Sequence, residues 1–206
     1  INSVSATFQS QVNTWNGSNW NTFTTSRNPA ALYRHVLLDN LNADPRDAEI
    51  VNSGVLEDWY THCSTNSYEC NAIVSALEPE VLAMIASAGW AGMRNHEQWE
   101  VILERDTSAL SITQLFTPLN SSNYSASKAF SDLPHAINVE YADEDDDNNL
   151  KTVIVPAPGY TEATATRYDT LRLDGITDQN RVVARARNLL RSLYYRQTER
   201  RIDVGI

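Results

Sequence analysis

The sequence has 206 residues, of which 42% are hydrophobic and 20% charged, and its formal net charge is −10. This composition is typical of a folded chain with one large or two small domains, and it excludes a wholly disordered protein. The acidic balance makes a specific nucleic-acid partner or a membrane surface unfavourable, and no apolar run approaches the roughly 20 residues of a membrane span.

Residues 1–27 predict an extended arm with one or two short strands. They are rich in Ser, Thr and Asn, and Trp15 and Trp20 stand among them. Large aromatic side chains bury much surface when they pack, so the arm is expected to lie against another part of the protein. The remainder predicts a helix-rich α+β subdomain over 28–130, and a subdomain with a hairpin and a long C-terminal helix over 131–206.

Three helices are predicted in the first half of the chain. Asn28 followed by Pro29 is a favoured helix start, because Asn caps exposed N–H groups and Pro is tolerated at the first helical position. A second helix begins at Ser53, with its apolar residues on one face. A third is expected from Pro79 to Gly89, where Gly89 would end it in the left-handed conformation.

The segments around these helices predict strands and one long connection. Apolar and polar residues alternate over Tyr68–Val74, which predicts a strand. Residues 90–94 and 98–105 predict a hairpin that turns at Asn95 and His96. From 106 to 135 the periodicity fades, and the many Ser, Asn, Thr and Pro residues indicate a long surface connection.

The second half of the chain predicts a hairpin with a charged turn. Strands over 136–141 and 150–155 flank the acidic run at 143–149. A further strand is expected over 168–173, and the end of the chain, 201–206, has the pattern of another strand. Long helices combined with antiparallel hairpins predict an α+β fold.

The longest predicted helix spans 175–195. Thr177 is its expected N-cap, because a Thr hydroxyl can accept a bond from an N–H of the first turn. Apolar residues recur with the spacing of a helix that packs on a core: Val182, Val183, Ala186, Leu189, Leu190, Leu193 and Tyr194.

The other face of this helix is predicted to be a protein interface, with Arg181, Arg185, Arg187 and Arg191 as its candidate residues. From 177 to 201, seven Arg stand against two acidic residues, a net of +5 in a chain whose total is −10. This contrast predicts pairing with acidic surfaces of a neighbouring protein or of the chain's own sheet. An Arg-rich face that is simply solvated is the alternative.

The acidic run is a candidate calcium site. Asp143, Asp145 and Asp147 have the alternating spacing of a calcium-binding loop. The glycine of such a loop is missing, however, and Ile154 stands where its bidentate Glu belongs. We therefore expect no bound metal here.

No motif identifies a catalytic or cofactor site. The four histidines are scattered, and the neighbours His62 and Cys63 would point to different sides of a helix, whereas a Cys–His pair needs spatial contact. Two cysteines, Cys63 and Cys70, are too few for a disulfide framework. We expect two free thiols, no cofactor and no catalytic residue.

The order of several segments resembles the tail tip attachment protein J family of lambda-like bacteriophages and the related hub proteins of siphophage tails and gene transfer agents. The segments that carry the resemblance are NPAALYRHVLLDN at 28–40, VLEDWYTHC, YECNAIV, EVLAMIASAGWAGMRNHEQWEVILERD at 80–106, FSDLPHAINVEYAD at 130–143 and LRLDGITDQNRVVARARNLL at 171–190.

The resemblance implies a structural fragment of a trimeric hub at the distal tip of a phage or prophage tail, assembled in the bacterial cytoplasm. Such a hub joins the tail tube to the receptor-binding fibre, and its partners are the other tail proteins. No catalytic residues belong to the pattern. Two other functions stay open: a cell-wall hydrolase of the kind attached to tail hubs, and a carbohydrate-binding or adhesin module with an aromatic, Ser- and Asn-rich surface.

Overall fold

The computed structural model describes residues 11–40, 44–72, 77–108, 111–112, 115–128 and 132–204. These residues contain four α-helices and nine β-strands in several small sheets, and the predicted α+β fold is confirmed. The elements are β1 (Gln11–Thr14), β2 (Thr22–Thr25), α1 (Pro29–Leu38), α2 (Ser53–Asn66), α3 (Glu78–Ala88), β3 (Ala91–Asn95), β4 (Trp99–Leu103), β5 (Ser121–Lys128), β6 (Ala136–Asp143), β7 (Asn149–Pro156), β8 (Tyr168–Arg172), α4 (Gln179–Tyr195) and β9 (Thr198–Val204).

The chain divides into two compact units that interleave in sequence. The first unit comprises Ile1–Arg105, Ala142–Asn149 and Leu173–Asp178, and the second comprises Asp106–Tyr141, Leu150–Arg172 and Gln179–Ile206. The sequence predicts consecutive subdomains at 28–130 and 131–206. In the structure, by contrast, two short segments beyond residue 130 belong with the N-terminal part.

Three helices and two hairpins form the first unit. Strands β1 and β2 pair antiparallel, as do β3 and β4. Helix α1 packs on α2, α3 and β1, while α3 contacts β3 and α2 contacts β4. The β1–β2 hairpin is the described part of the predicted arm, and residues 1–10 lie outside the described residues.

The predicted starts of α1 and α2 follow from side-chain capping. The Asn28 side chain accepts a hydrogen bond from the Ala30 N–H at 3.0 Å, and Pro29 occupies the first turn, so both sequence signals act as expected. Helix α2 starts at Ser53 because the preceding Asn52 accepts from the Val55 N–H at 3.3 Å.

The end of α3 differs from the prediction. Gly89 caps the helix with a φ of −90°, which is an ordinary right-handed value. The left-handed residue is Trp90, with a φ of 53°. Gly89 is required for another reason: a Cβ atom placed on it would lie 2.6 Å from the Trp59 ring and 2.8 Å from the Pro29 Cβ. The glycine therefore permits a close helix contact.

The predicted strand at Tyr68–Val74 is absent from its described part, which ends at residue 72. The Cys70 N–H donates to the Arg27 carbonyl at 2.9 Å, and the Asn71 N–H donates to the Gly175 carbonyl at 2.8 Å. Consecutive residues thus bond to two different segments. Such bonds anchor an irregular chain and do not build a ladder.

The three-stranded sheet has the strand order β7-β6-β8. The predicted hairpin of β6 and β7 is present, but β8 pairs with β6 in the parallel direction, so antiparallel pairing does not extend to every strand. The buried apolar side chains of the second unit come mainly from β6, β7 and α4: Ala136, Ile137, Val139, Tyr141, Val155, Val182, Ala186 and Leu190.

The predicted connection over 106–135 contains a strand. Strand β5 pairs antiparallel with β9, from Ser121 opposite Val204 to Lys128 opposite Thr198. Residues 122–128 of β5 are exposed on both faces. The sequence SSNYSASK therefore lacks the apolar alternation that would reveal a strand, and the pairing is made by backbone bonds to a segment about 75 positions later.

Helix α4 begins at Gln179, two residues beyond the expected N-cap. Thr177 is buried, and its hydroxyl donates to the Glu144 carboxylate at 2.9 Å, so it serves a tertiary contact. The apolar stripe is also shorter than predicted. Val182, Ala186 and Leu190 are buried, whereas Leu193 is 47% exposed.

Candidate functional site

The four predicted interface arginines do not share one environment. Arg185 is only 4% exposed and lies on the core side of α4, one turn from Val182. Arg181 is half-buried, while Arg187 and Arg191 are exposed. Because residues four positions apart lie on one face of a helix, Arg187 and Arg191 form a continuous solvent-facing pair. The candidate interface therefore reduces to these two residues.

The two units carry opposite net charges. The first unit has 19 Asp and Glu against 5 Arg, a net of −14, and the second has 7 Asp and Glu against 11 Lys and Arg, a net of +4. Together they give the −10 of the chain. Such segregation creates surfaces of opposite potential, which steer association with partners of complementary charge.

The acidic run forms a tight turn between β6 and β7. Asp147 and Asn148 have φ values of 49° and 58°, and the Asn149 N–H donates to the Asp146 carbonyl at 2.8 Å. This is the type I′ geometry that matches the twist of a hairpin. The carboxylate of Asp143 accepts from the Asp145 N–H at 3.0 Å. Across the described ranges, no three His, Cys, Asp or Glu side chains converge as metal ligands would.

A polar cluster in the first unit joins four segments that are distant in the sequence. The Thr177 hydroxyl donates to Glu144 at 2.9 Å and accepts from the Asn71 side chain at 3.0 Å. Arg27 lies 3.7 Å from the Glu144 carboxylate and 3.7 Å from that of Glu69. These contacts explain why residues 142–149 and 173–178 belong to the first unit.

Gly175 lies beside this polar cluster, two residues before Thr177. Its φ of +89° is accessible at low cost only to glycine, and an added Cβ would lie 3.0 Å from the Cys70 sulfur. Its carbonyl accepts the Asn71 N–H at 2.8 Å. The Gly-Ile-Thr turn before α4 is thus fixed by backbone conformation and by close packing.

The cysteines are buried free thiols. Burial raises the pKa of Cys63 and of Cys70 to about 12, so both stay protonated near neutral pH and are poor nucleophiles. The Cys63 sulfur lies 3.8 Å from the Gly89 carbonyl. The neighbouring His62 ring contacts Tyr68 edge-on at 5.7 Å. His62 and Cys63 therefore point to different surroundings, as predicted.

The aromatic side chains of the arm pack on the helices. Trp20 contacts Trp15 at 5.6 Å and the edge of Tyr60 at 5.5 Å between ring centroids. The Arg34 guanidinium lies 5.1 Å above the Trp20 ring, a favourable cation–π contact. Through these contacts Trp20 holds the β1–β2 hairpin against the helices.

Sequence reasoning missed four exposed apolar side chains in the second unit, which we call the apolar knob. They are Ile112, Leu115, Phe116 and Leu119, with 85%, 69%, 50% and 98% of their surface exposed. They lie in a run without charge from Thr107 to Ser127. Their spacing at i, i+3, i+4 and i+7 is typical of a helix packed on a core, so the sequence gives no signal for their exposure.

Comparisons with protein-family models and with curated proteins give no match for this chain. Among the helices that the structure describes, none has both the length and the apolar character needed to cross a membrane.

Proposed function

We propose that this protein is a structural component of the tail tip hub of a phage or prophage, in which it links the tail tube to the receptor-binding fibre. Its partners are then the other tail proteins at the tube end and tip, with a homotrimer as the assembled form. Its location is the distal end of the virion tail, after assembly in the bacterial cytoplasm. The proposal rests on the segments that resemble this family.

One structural observation supports an assembly role above others. A unit of net charge −14 and a unit of +4 are present in one chain, and Arg187 and Arg191 face solvent on the basic unit. Charge segregation of this kind favours specific, oriented contacts between proteins and suppresses wrong ones. A tail hub binds several different partners in a fixed arrangement, so its contacts have to be specific and oriented.

The first experiment is immunogold electron microscopy on particles from an induced lysate of the source strain, with antibody raised against this chain. Gold confined to the distal tip of tails is expected. Intact tails without gold, from a lysate whose soluble fraction contains the protein, would contradict the proposal. Tails opened with mild denaturant provide the control for epitopes that assembly buries.

A further inference from the structure

His135 holds the connection between β7 and β8 at both of its ends. The His135 carbonyl accepts a hydrogen bond from the Ala157 N–H at 2.9 Å, and the His135 N–H donates to the Arg167 carbonyl at 2.9 Å. The connection over 157–167 therefore begins and ends on the residue that precedes β6. Because these are backbone bonds, they do not depend on the charge of the imidazole.

The His135 ring makes two further contacts within this connection. Its Nδ1 atom accepts a hydrogen bond from the Thr166 N–H at 3.2 Å and lies 3.0 Å from the Thr166 hydroxyl oxygen. Its face stacks on the Tyr160 ring, with 4.1 Å between the ring centroids and 12° between the planes. We call this arrangement of His135, Tyr160 and Thr166 the imidazole latch.

The Thr166 N–H determines which ring nitrogen of His135 carries the proton. A backbone N–H can only donate, so Nδ1 has to be the acceptor, and the proton of the neutral ring is then on Nε2. The Thr166 hydroxyl can donate or accept, so it suits a neutral and a charged ring equally. The backbone N–H has no such freedom, and it is the pH-sensitive partner of the ring.

Protonation of Nδ1 acts on the two ring contacts in opposite ways. An imidazolium ring carries a proton on both nitrogens, so Nδ1 no longer accepts and its bond with the Thr166 N–H is lost. The Thr166 hydroxyl then accepts from the ring. The stack on Tyr160 is retained, because the face of a tyrosine ring attracts a cation.

The other ionisable groups near the latch do not respond to mild acid. They lie before β6, in the connection, in β8 and in α4: Asp132, Glu162, Arg167, Tyr168 and Tyr194. Carboxylates, guanidinium groups and phenols largely keep their charge states between pH values of about 8 and 5, whereas imidazole changes its own. Asp132 and Arg167 lie 2.9 Å apart, and together they add no net charge beside the ring.

We propose that His135 is a pH-sensitive latch on the β7–β8 connection, in which the neutral ring holds the Thr166 N–H and the protonated ring releases it to solvent. The change is confined to residues 161–166, because backbone bonds keep both ends and stacking keeps Tyr160. The Tyr168 hydroxyl, which donates to the Ala165 carbonyl at 3.2 Å, then remains as a side-chain contact of this stretch. The latch acts within the second unit and does not depend on the proposed function.

The test is NMR spectroscopy of the full chain at pH values of about 8 and about 5. The nitrogen chemical shifts of the His135 ring report its tautomer and its charge. The solvent exchange of the Thr166 amide, divided by its intrinsic rate at each pH, reports the hydrogen bond. In the wild type we expect the proton on Nε2 at the higher pH. Once the ring is charged, the protection of the Thr166 amide is expected to fall roughly three- to tenfold, as the loss of one hydrogen bond predicts.

Two variants at position 135 form a matched pair. His135→Asn places an amide oxygen near the position of Nδ1 and does not titrate, so the protection of the Thr166 amide is expected to be equal at both pH values. His135→Phe retains a ring for the stack and lacks the acceptor, so low protection is expected at both.

Thr166→Val separates the hydroxyl from the backbone N–H. The amide of residue 166 is expected to stay protected at the higher pH, because it still donates to Nδ1. On acidification it is expected to lose more protection than in the wild type, since the charged ring then has no hydroxyl to donate to.

The wild-type measurement is sufficient to overturn the proposal even if a variant fails to fold. A neutral ring with its proton on Nδ1, a ring that is still neutral at the lower pH, or a charged ring with unchanged protection of the Thr166 amide would each do so. An equal response to pH in His135→Asn and in the wild type would assign the effect to another group and would also overturn it.

Discussion

Trp59 of α2 is in direct contact with Gly89 at the end of α3. The indole Nε1–H donates to the Gly89 carbonyl at 2.8 Å in a buried position, and the indole ring occupies the space where a Cβ of residue 89 would project. Tyr33 packs edge-on against the same ring at 5.5 Å. One glycine thus permits both a buried hydrogen bond and the packing of three helices.

Gly89→Ala is therefore expected to destabilise the protein strongly. The new methyl group would lie 2.6 Å from the Trp59 ring, and both the ring and Pro29 are held in a packed core. Overpacking of this kind costs about 1–3 kcal/mol, and displacement of the indole would also break its hydrogen bond. Urea unfolding followed by circular dichroism measures the loss.

Gly92→Ala is the matched control. Gly92 lies in β3, its φ is not positive, and nothing stands within 4 Å of an added Cβ. A neutral or slightly stabilising effect is expected, because alanine reduces the entropy of the unfolded chain. Equal destabilisation by both variants would mean that the Trp59 contact is not the cause.

Local signals in the sequence were sufficient for the elements that depend on neighbouring residues. Asn28 and Pro29 predicted the start of α1, and the alternation in 136–155 predicted the hairpin of β6 and β7. Capping and periodicity act over a few residues, so these parts could be predicted from sequence alone.

Elements that depend on distant segments could not be predicted in this way. Strand β5 is fixed by β9, which nothing in its own polar sequence indicates. Thr177 has the sequence context of an N-cap, but its hydroxyl donates a hydrogen bond to the Glu144 carboxylate. Arg185 belongs to the charged pattern of α4 and is nevertheless buried. For the candidate interface, the sequence therefore predicted the helix but not which of its arginines face solvent.

Thr177→Val is expected to destabilise the first unit by about 0.5–1.5 kcal/mol, because it removes the hydrogen bonds of a buried hydroxyl at nearly constant side-chain volume, while its partly exposed partners can still bind water. The Thr177 hydroxyl bridges Asn71 and Glu144. Thr177→Ser retains the hydroxyl and is expected to lose much less. The comparison of the two variants by urea unfolding tests the bridge, and equal losses would assign the effect to the missing methyl group.

Stability is expected to fall on mild acidification through His62. Burial lowers the pKa of His62 below its usual 6.5, Arg105 lowers it further, and Asp58 acts in the opposite direction. The unfolded chain therefore binds a proton at a higher pH than the folded chain does, and the free energy of unfolding decreases as the pH falls below about 6.5. Below the folded-state pKa this contribution becomes constant.

The measurement for His62 is the urea midpoint as a function of pH in the wild type and in His62→Gln. The difference in urea midpoint between the two proteins should change as the pH falls from about 6.5 towards the folded-state pKa of His62. Above pH about 6.5 it should be constant. Arg105→Gln removes one cause of the low pKa of His62. It is therefore expected to narrow the pH range over which the stability changes. A difference that does not vary with pH would show that the imidazole keeps its ordinary pKa in the folded protein.

Reversal of Arg187 and Arg191 to Glu is expected to block tail assembly and leave the fold intact. Exposed ion pairs contribute only about 0–1 kcal/mol, so the unfolding midpoint should hardly change. The double reversal brings the second unit from +4 to 0. Arg185→Glu, by contrast, is expected to destabilise the protein, because it places a carboxylate at a position that is only 4% exposed.

Reversal of Arg200 and Arg201 to Glu is the matched control for the assembly effect. Both residues are exposed in β9 of the same unit, and the change in net charge is identical. Complementation of a phage that lacks the gene, scored as infectious particles, distinguishes the two pairs. If only the α4 pair blocks assembly, the contact is local to that face, whereas equal loss would indicate a long-range effect of charge. Normal particles from the α4 variant would remove this face from the interface.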